Sequence, residues 1–371
     1  MKSPERVLIC YSGHNSSTLD LSSYIATGFQ KNGVAVKRFR LDNEIRIAYD
    51  SCAAWQERKP DYHMTQADPI YLASKNLLSD IVLYKPDLVL VVTGLLLYGS
   101  AFLWLREMQE GMRKPFILGI LLTESPYQDE EELHCASLAN IIWTNERAFV
   151  PRLAQFTPRA FWLPHAYEDT VHFPDDSGTK EFDAYFCGTG KPSRAQLWAE
   201  TDWTGVDFHL EGVFPDLLSV YPHMAAHYSE GLVPNAQAAQ RCRQSRICLN
   251  RHRRESTKVL YRNDDSEHQV KEVIECMIGD GDAECVNDRA IQIAACGAFQ
   301  LCDRERIELG EAFGDSIPTY GSPVELRAQV LYYLKHESER ERKAAEAYAR
   351  IKHRTYAHNA ATMLRQIAEV F

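Results

Sequence analysis

No pair of cysteines in this chain has the spacing of a zinc ribbon or a redox CxxC motif, although 10 Cys occur in its 371 residues. They sit inside apolar or helical patterns and read as reduced, buried thiols, so neither a disulfide framework nor a cysteine metal site follows from them. Neither a Walker A loop nor a GxGxxG fingerprint is present. The first loop, YSGHNSS, lacks the glycine spacing a dinucleotide needs, which argues against a dehydrogenase or epimerase with the same type of sheet. Positive charge is not in excess: Lys plus Arg number 41 against 51 Asp plus Glu, a formal net charge of -10. Such a chain is not a general nucleic-acid coat, and only a local basic groove could bind DNA. Neither internal repeats nor low-complexity tracts occur. The longest apolar run, LVLVVTGLLLYGSAFLWL at 88–105, is interrupted by Gly94, Gly99 and Ser100 and opened by Lys85-Pro86-Asp87, so it reads as a buried strand, a loop and a helix start, with no membrane span. Met1 leads straight into Lys2-Ser3-Pro4-Glu5 without the regions of a signal peptide, and the expected location is cytoplasmic.

What is present is the composition of a globular protein, 45% hydrophobic and 25% charged, too long for one ordinary core. Short apolar runs alternate with amphipathic segments: strands at Arg6–Tyr11, Val34–Leu41, Asp87–Val92, Phe116–Leu122, Ile141–Thr144 and Phe161–Pro164, with helices near 19–32, 100–111 and from about 146. A polar break follows at 168–180, EDTVHFPDDSGTK, the expected interdomain linker. The alternation restarts with strands at Phe182–Cys187, Val206–Glu211, Ile247–Asn250 and Ala298–Cys302 and helices near 191–201, 235–244 and 287–296. Strands apolar on both faces and separated by helices predict two doubly wound α/β domains with parallel sheets. Ser322-Pro323-Val324-Glu325 predicts an N-cap, with helix through about Lys335. The chain from about 338 to 371 is expected to continue as helix, its late apolar stripe, Ala361, Leu364, Ile367 and Val370, packed against another part of the protein.

Ligands of such sheets bind beyond the carboxyl ends of the strands. Three segments there carry chemistry. Gly188-Thr189-Gly190-Lys191, followed by Arg194, offers relaxed backbone amides, a helix N-terminus and two cations, which suits a phosphate. The stretch RCRQSRICLNRHRR at 241–254 puts Asn250, His252 and Arg253 at the sheet edge, where guanidinium groups can bind phosphate, and its arginines also keep a nucleic-acid reading open. The third begins Asn287-Asp288-Arg289, where a helix start can hold a diphosphate while Gln292, one turn in, can hydrogen-bond a ribose. In the N-terminal half, Gly13-His14-Asn15 and Glu124 follow strands, and either His14 or Glu124 could meet the transferring group, Glu124 as a base. Asp280-Gly281-Asp282 has the look of a metal-binding DXD but sits in a polar loop and reads as a turn.

The runs NDRAIQIAACGAFQLCD, FCGTGKPSR, ICLNRHR and KHRTYAHNAATML, with KPDLVLVV, TESPY, TNE and LPHAYEDTVHFP before them, resemble CgeB-type (spore-maturation-protein-like) glycosyltransferases. The resemblance is strong after residue 180 and covers most of 85–371. It implies the GT-B fold: two Rossmann-like domains facing across a cleft, bounded at 1–170 and 171–345, with 346–371 returning as a helix to the N-terminal domain. It also implies transfer of a sugar from a nucleotide diphosphate, most simply a UDP-sugar, to a hydroxyl acceptor, with no tightly bound cofactor and no obligatory metal. Lys191, Arg194 and Arg289 become candidates for the diphosphate and Gly188, Thr189 and Gly190 for the donor-site edge. Asn250, His252, Arg253, Asn287, Asp288 and Gln292 complete the expected donor set, with His14 and Glu124 as catalytic candidates and Gly13, Asn15, Ser125 and Tyr127 on the acceptor side. Related retaining enzymes carry two glutamates about two helical turns apart. Here Glu284 and Gln292 stand in those places, so the second carboxylate is an amide, and a lean to retention rests on analogy. The acceptor stays open between a small molecule, a surface polymer and a hydroxymethylpyrimidine base of DNA, and a noncatalytic sugar-nucleotide-binding protein is the rival class.

Overall fold

The computed structural model describes residues 3–11, 16–59, 61–175, 178–261, 270–279 and 281–371. The first part runs β1 (Arg6–Tyr11), α1 (Ser16–Lys31), β2 (Ala35–Arg40), α2 (Leu41–Arg58), α3 (Ala67–Tyr84), β3 (Leu88–Val92), α4 (Ala101–Gly111), β4 (Ile117–Leu122), α5 (Asp129–Ala136), β5 (Ile141–Thr144), the short α6 (Val150–Leu153) and β6 (Ala160–Trp162). The remainder runs β7 (Phe182–Cys187), α7 (Pro192–Glu200), β8 (Phe208–Gly212), α8 (Leu217–Val220), β9 (Tyr228–Glu230), α9 (Asn235–Arg243), β10 (Ser245–Asn250), β11 (Glu255–Tyr261) and β12 (Val270–Met277). It ends with α10 (Asp288–Ala295), β13 (Gln300–Asp303), α11 (Ile307–Phe313), β14 (Thr319–Tyr320), α12 (Pro323–Lys335), α13 (Glu337–Ile351) and α14 (Tyr356–Val370).

The chain divides into two compact units. One gathers Met1–Pro164, Ser256–Ala283 and Ala357–Phe371, the other His165–Glu255 and Glu284–Tyr356. Each holds a six-stranded parallel sheet, ordered β2-β1-β3-β4-β5-β6 in the first and β14-β13-β10-β7-β8-β9 in the second, as the doubly wound expectation requires. In each, the first strand lies inside the sheet with its successors on both sides, so the order reverses between β1 and β3 and between β7 and β10. Strands β3 and β4 are buried along their whole length, as sheets covered on both faces demand.

Several elements depart from the sequence expectation for physical reasons. α2 and α3 fill a span whose pattern is hard to read, since α2 buries only Leu41, Ala48 and Cys52. The helix expected from 146 is a single tight turn, capped by Glu146 accepting from the Ala148 N–H (2.9 Å), and then α6. The terminal helix is broken between α13 and α14, because the Arg354 carbonyl accepts from the Tyr167 N–H (3.0 Å) and the Tyr356 N–H donates to the Tyr167 carbonyl (3.1 Å). The polar stretch at 168–180 begins inside the second unit, with Glu168 and His172 buried. β11 and β12 form a two-stranded ribbon that the sequence reading did not include.

Ser322 caps α12 through its hydroxyl, which accepts from the Glu325 N–H (3.2 Å), while the Glu325 carboxylate accepts from the Gly321 N–H (2.7 Å). α14 buries Ala360, Met363, Leu364 and Ile367, and its Gln366 accepts from the indole of buried Trp143 (2.7 Å). Among the described residues no helix is long and apolar enough to cross a membrane.

The core of the first unit leaves no room beside that indole. A Cβ added at Gly119 would stand 2.9 Å from the Trp143 ring. Gly119→Ala is expected to lower stability by about 1–3 kcal/mol, read as a lower urea midpoint.

Candidate functional site

The carboxyl edge of the second unit's sheet brings together the loops after β7, β10 and β13. After β7 the chain makes a close approach: the Gly190 N–H donates to the Val213 carbonyl (2.8 Å), and a Cβ at Gly190 would fall 2.4 Å from the Phe214 backbone. Thr189 is exposed and Lys191, at the N-cap of α7, half-buried. Arg194 donates from Nε to the Arg251 carbonyl (3.0 Å) and from Nη1 to the Thr189 carbonyl (3.0 Å), so it ties the loops after β7 and β10 together. At the α7 N-terminus, where the sequence suggests a phosphate, the Ser193 N–H already donates to the Glu255 carboxylate (2.7 Å). Burial alone would raise the pKa of Glu255, but N–H donors from Ser193 and Arg254 and the Ser193 hydroxyl bring it below the usual range.

Asn250 and Asn287 exchange amide hydrogen bonds (3.0 Å each), and the Asn287 carbonyl oxygen also caps α10 by accepting from the Ala290 N–H (3.0 Å). The end of β10 is thereby fastened to the start of α10. Next to it, the fully buried Asp303 at the end of β13 accepts from the His252 backbone N–H and faces His252 Nδ1 (2.8 Å). Burial alone would raise the Asp303 carboxyl; the His252 ring and Arg251 outweigh it and hold it well below the carboxylate range. His252 Nδ1, Cys302 Sγ and the Asp303 carboxylate lie within 4.8 Å of one another, but that carboxylate is already committed to the two His252 nitrogens. Arg253 is half-buried, and its carbonyl accepts from Arg306 (3.2 Å).

The arginines of 241–254 are largely neutralised by nearby acids. Arg246 pairs with Asp183 (2.7 Å), Arg251 and Arg254 with Glu305 (3.0 and 3.3 Å), and Arg241 with Glu181 and Glu211 (3.7 and 3.8 Å). Arg243 donates to the carbonyls of Val171 and Phe173 (3.3 and 3.4 Å). Much of the positive charge of this stretch is thus taken up locally, which weakens the sequence argument for a DNA groove.

On α10 the situation reverses. Half-buried Arg289 lies in the field of Tyr185, Cys187, Cys242, Asp288 and His172, yet no hydrogen bond or ion pair holds its guanidinium among the described residues. One turn on, Gln292 is 4% exposed; its Nε2 donates to Asp288 (3.2 Å), while its Oε1 is buried without a donor. Residues three apart on a helix share a face. The arrangement therefore presents five N–H donors lacking acceptors beside an oxygen lacking a donor.

In the first unit, Gly13, His14 and Asn15 lie outside the described residues. Glu124 turns the chain after β4, its carbonyl accepting from the Tyr127 N–H (2.6 Å), and its N–H donates to the buried Glu132 carboxylate (2.9 Å), as does that of Thr123 (2.8 Å). Ser125 is buried, and the Tyr127 carbonyl accepts from the Ser256 hydroxyl (2.9 Å). Of the DXD-like triplet, Asp280 lies outside the described residues; Gly281 has φ +85° and the Asp282 N–H donates to the Gly279 carbonyl (3.3 Å), the geometry of a turn. Sequence reasoning missed Glu255, His172, Asp129 and the role of Asp303. Only Asp303 carried a signal, as the last residue of an apolar strand at the ligand edge.

Residues 194–365 match the family model described as "Glycosyl transferase-like". No curated protein matches significantly. Solved structures do: sucrose-phosphate synthase from Thermosynechococcus elongatus at 9% identity and TM-score 0.62, covering 99% of each chain; the DNA-modifying enzyme β-glucosyltransferase, whose structure was determined with and without uridine diphosphoglucose, at 14% identity and TM-score 0.59, covering 98% of this chain and 99% of that one; and the Anabaena protein HepE in complex with UDP, at 8% identity and TM-score 0.56, covering 100% of both. At these identities the likeness establishes the architecture, two Rossmann-like units of the GT-B fold.

Close to Arg289, His172 has a pKa lowered to about 4, chiefly by burial and then by the Arg289 charge. The unfolded chain takes up that proton near pH 6.5 and the folded one does not. Stability is therefore fully present above pH 6.5 and falls by up to about 3 kcal/mol on the way to pH 4. His172→Gln is expected to flatten this part of the pH dependence, measured as the difference between the urea-unfolding free energies of the two proteins from pH 7 to 4.

Proposed function

We propose that this protein is a glycosyltransferase that takes a sugar from a nucleotide diphosphate, a UDP-sugar, and passes it to a hydroxyl acceptor in the cytoplasm. The observation that carries this reading is the complementary pair on α10. A half-buried guanidinium that no protein acceptor holds is open to a ligand, and a diphosphate supplies acceptors in the bidentate geometry arginine favours. The Gln292 oxygen accepts what a ribose offers, a hydroxyl hydrogen. The family-model match, which includes α10, and the UDP complex of HepE support the same donor class.

In this reading Arg289 and Lys191 stabilise the diphosphate as it leaves with the bonding electron pair, fixed charges in a drier site contributing several kcal/mol without a metal ion. Gly188 and Gly190 let the backbone come close to the donor. Asn250, His252, Arg253, Asn287 and Arg194 act through the network that braces these loops, and Asp288 orients Gln292. The motifs resembling CgeB-type enzymes fall on these elements. Retention remains the analogy's suggestion, with Gln292 where related retaining enzymes carry a carboxylate. That substitution also favours the rival reading, a noncatalytic sugar-nucleotide binder. A panel of UDP-, GDP- and dTDP-sugars separates them, since a binder protects a donor without turning it over. A DNA acceptor, suggested by the likeness to the DNA-modifying enzyme β-glucosyltransferase, would require specific duplex affinity that falls steeply with salt.

Arg289→Ala is expected to weaken UDP binding by roughly 10- to 150-fold, the loss of about 1.5–3 kcal/mol for charged hydrogen bonds, with the melting temperature kept or raised. Calorimetric titration of both proteins with UDP checks this, and equal affinities would remove Arg289 from the site.

A further inference from the structure

The first unit contains a cavity of about 320 Å³ at the carboxyl edge of its own sheet. Pro126 and Asp129 of the β4–α5 region form one side, Phe149 and Arg152 a second, and Ile278 and Asp282, beyond β12, a third. The only cation among the described lining residues, Arg152, already pairs with Glu130 (2.7 Å), so the described lining carries surplus negative charge. Asp129 Oδ1 is buried, and among the described residues no donor other than the adjacent Ser125 hydroxyl is in reach of it. That hydroxyl, in a residue 6% exposed, lies against the carboxyl and opposes the rise in its pKa, and no other group among the described residues holds it. Two adjacent polar groups, one almost wholly enclosed, thus keep hydrogen-bonding capacity that the rest of the protein does not use.

We propose that this cavity is the acceptor subsite and that it takes a sugar ring bearing no phosphate, neutral or aminated, with Asp129 and Ser125 holding its hydroxyl groups. The proposal rests on the glycosyltransferase reading above and names its acceptor class. A carboxylate accepts hydrogen bonds from neighbouring hydroxyls, Ser125 can donate or accept, and the apolar faces of Pro126, Phe149 and Ile278 suit the C–H faces of a ring. The volume is at the small end of ligand cavities, about 300–1,000 Å³. A phosphodiester or sugar phosphate would bring a second anion against Asp129 and Asp282 with no uncommitted cation among the lining residues to receive it, which disfavours DNA. The surroundings also set Asp129's protonation. Burial first, then Glu146 of the turn before α6 and Asp282 raise its pKa to about 6, against Ser125 and Arg152; buried Glu132 of α5 lies within its field. Asp129 is therefore ionised above about pH 6 and protonated below it.

The test is direct binding to the full-length protein, without donor, of glucose, glucosamine, glucose 6-phosphate and a 13-mer DNA duplex, followed by saturation-transfer NMR and titration. Glucose or glucosamine is expected to bind at least tenfold more tightly than glucose 6-phosphate, and glucosamine to weaken several-fold between pH 7 and 5. Asp129→Asn, and Ala148→Phe, which fills the cavity, should each reduce sugar binding at least tenfold and leave UDP affinity unchanged. Sugar binding that survives both variants, tighter binding of glucose 6-phosphate or the duplex, or no binding of any of the four probes overturns the proposal. Sugar binding as expected, with no turnover of any donor by the wild type, would instead remove the transferase reading and leave the cavity as a sugar site.

Discussion

A guanidinium folded into a protein must find acceptors or bear the cost of lost hydration, and the carboxyl edge of the second unit is organised around that demand. Arg194 meets it with two backbone carbonyls, and Arg251 and Arg254 meet it with Glu305. Asn250, Asn287, His252 and Asp303 satisfy one another in the same way. Among the described residues this network leaves Arg289 without an acceptor and the Gln292 oxygen beside it without a donor, together with buried Nε2 of His252 and Nε of Arg251. A site built like this is rigid before its ligand arrives, because each supporting group has its rotamer fixed by a partner, and rigid charges stabilise a leaving diphosphate without reorganising.

The two edges divide the chemistry by sign. In the second unit Arg289 on α10 is a cation that no acceptor among the described residues holds, while the helix N-terminus of α7 is filled by the chain's own Glu255; under the proposed function that leaves α10 for the phosphate. In the first unit the corresponding edge is acidic: Glu132 fastens the loop after β4, and Asp129 and Asp282 face a cavity whose arginine is already paired. An anion suits the first kind of edge and a neutral polyol the second. The arginine-rich stretch at 241–254, the most conspicuous basic feature of the sequence, is engaged mostly in ion pairs and hydrogen bonds within its unit.

Much of the fold was legible. The strands Phe182–Cys187 and Ile141–Thr144 and the capped helix at 323–335 were readable because apolar runs and caps are written within a few consecutive residues. α2 was not, since three buried positions in eighteen residues leave almost no stripe. The break before α14 was hidden too, because it depends on Tyr167, far away in the chain. Of the donor set, the loop after β7 and the start of α10 announced themselves through glycines and an N-cap. Whether each of their cations was available did not.

By itself, then, the sequence determined two layered α/β units and the segments that reach their ligand edges, because hydrophobic period and capping are local. Only the tertiary structure decided which polar groups at those edges are satisfied. His252 and Asp303 stand 51 positions apart, and their pairing follows from β10 and β13 being neighbours in the sheet. Strand order sets which side chains meet, and so which of them remain for a ligand.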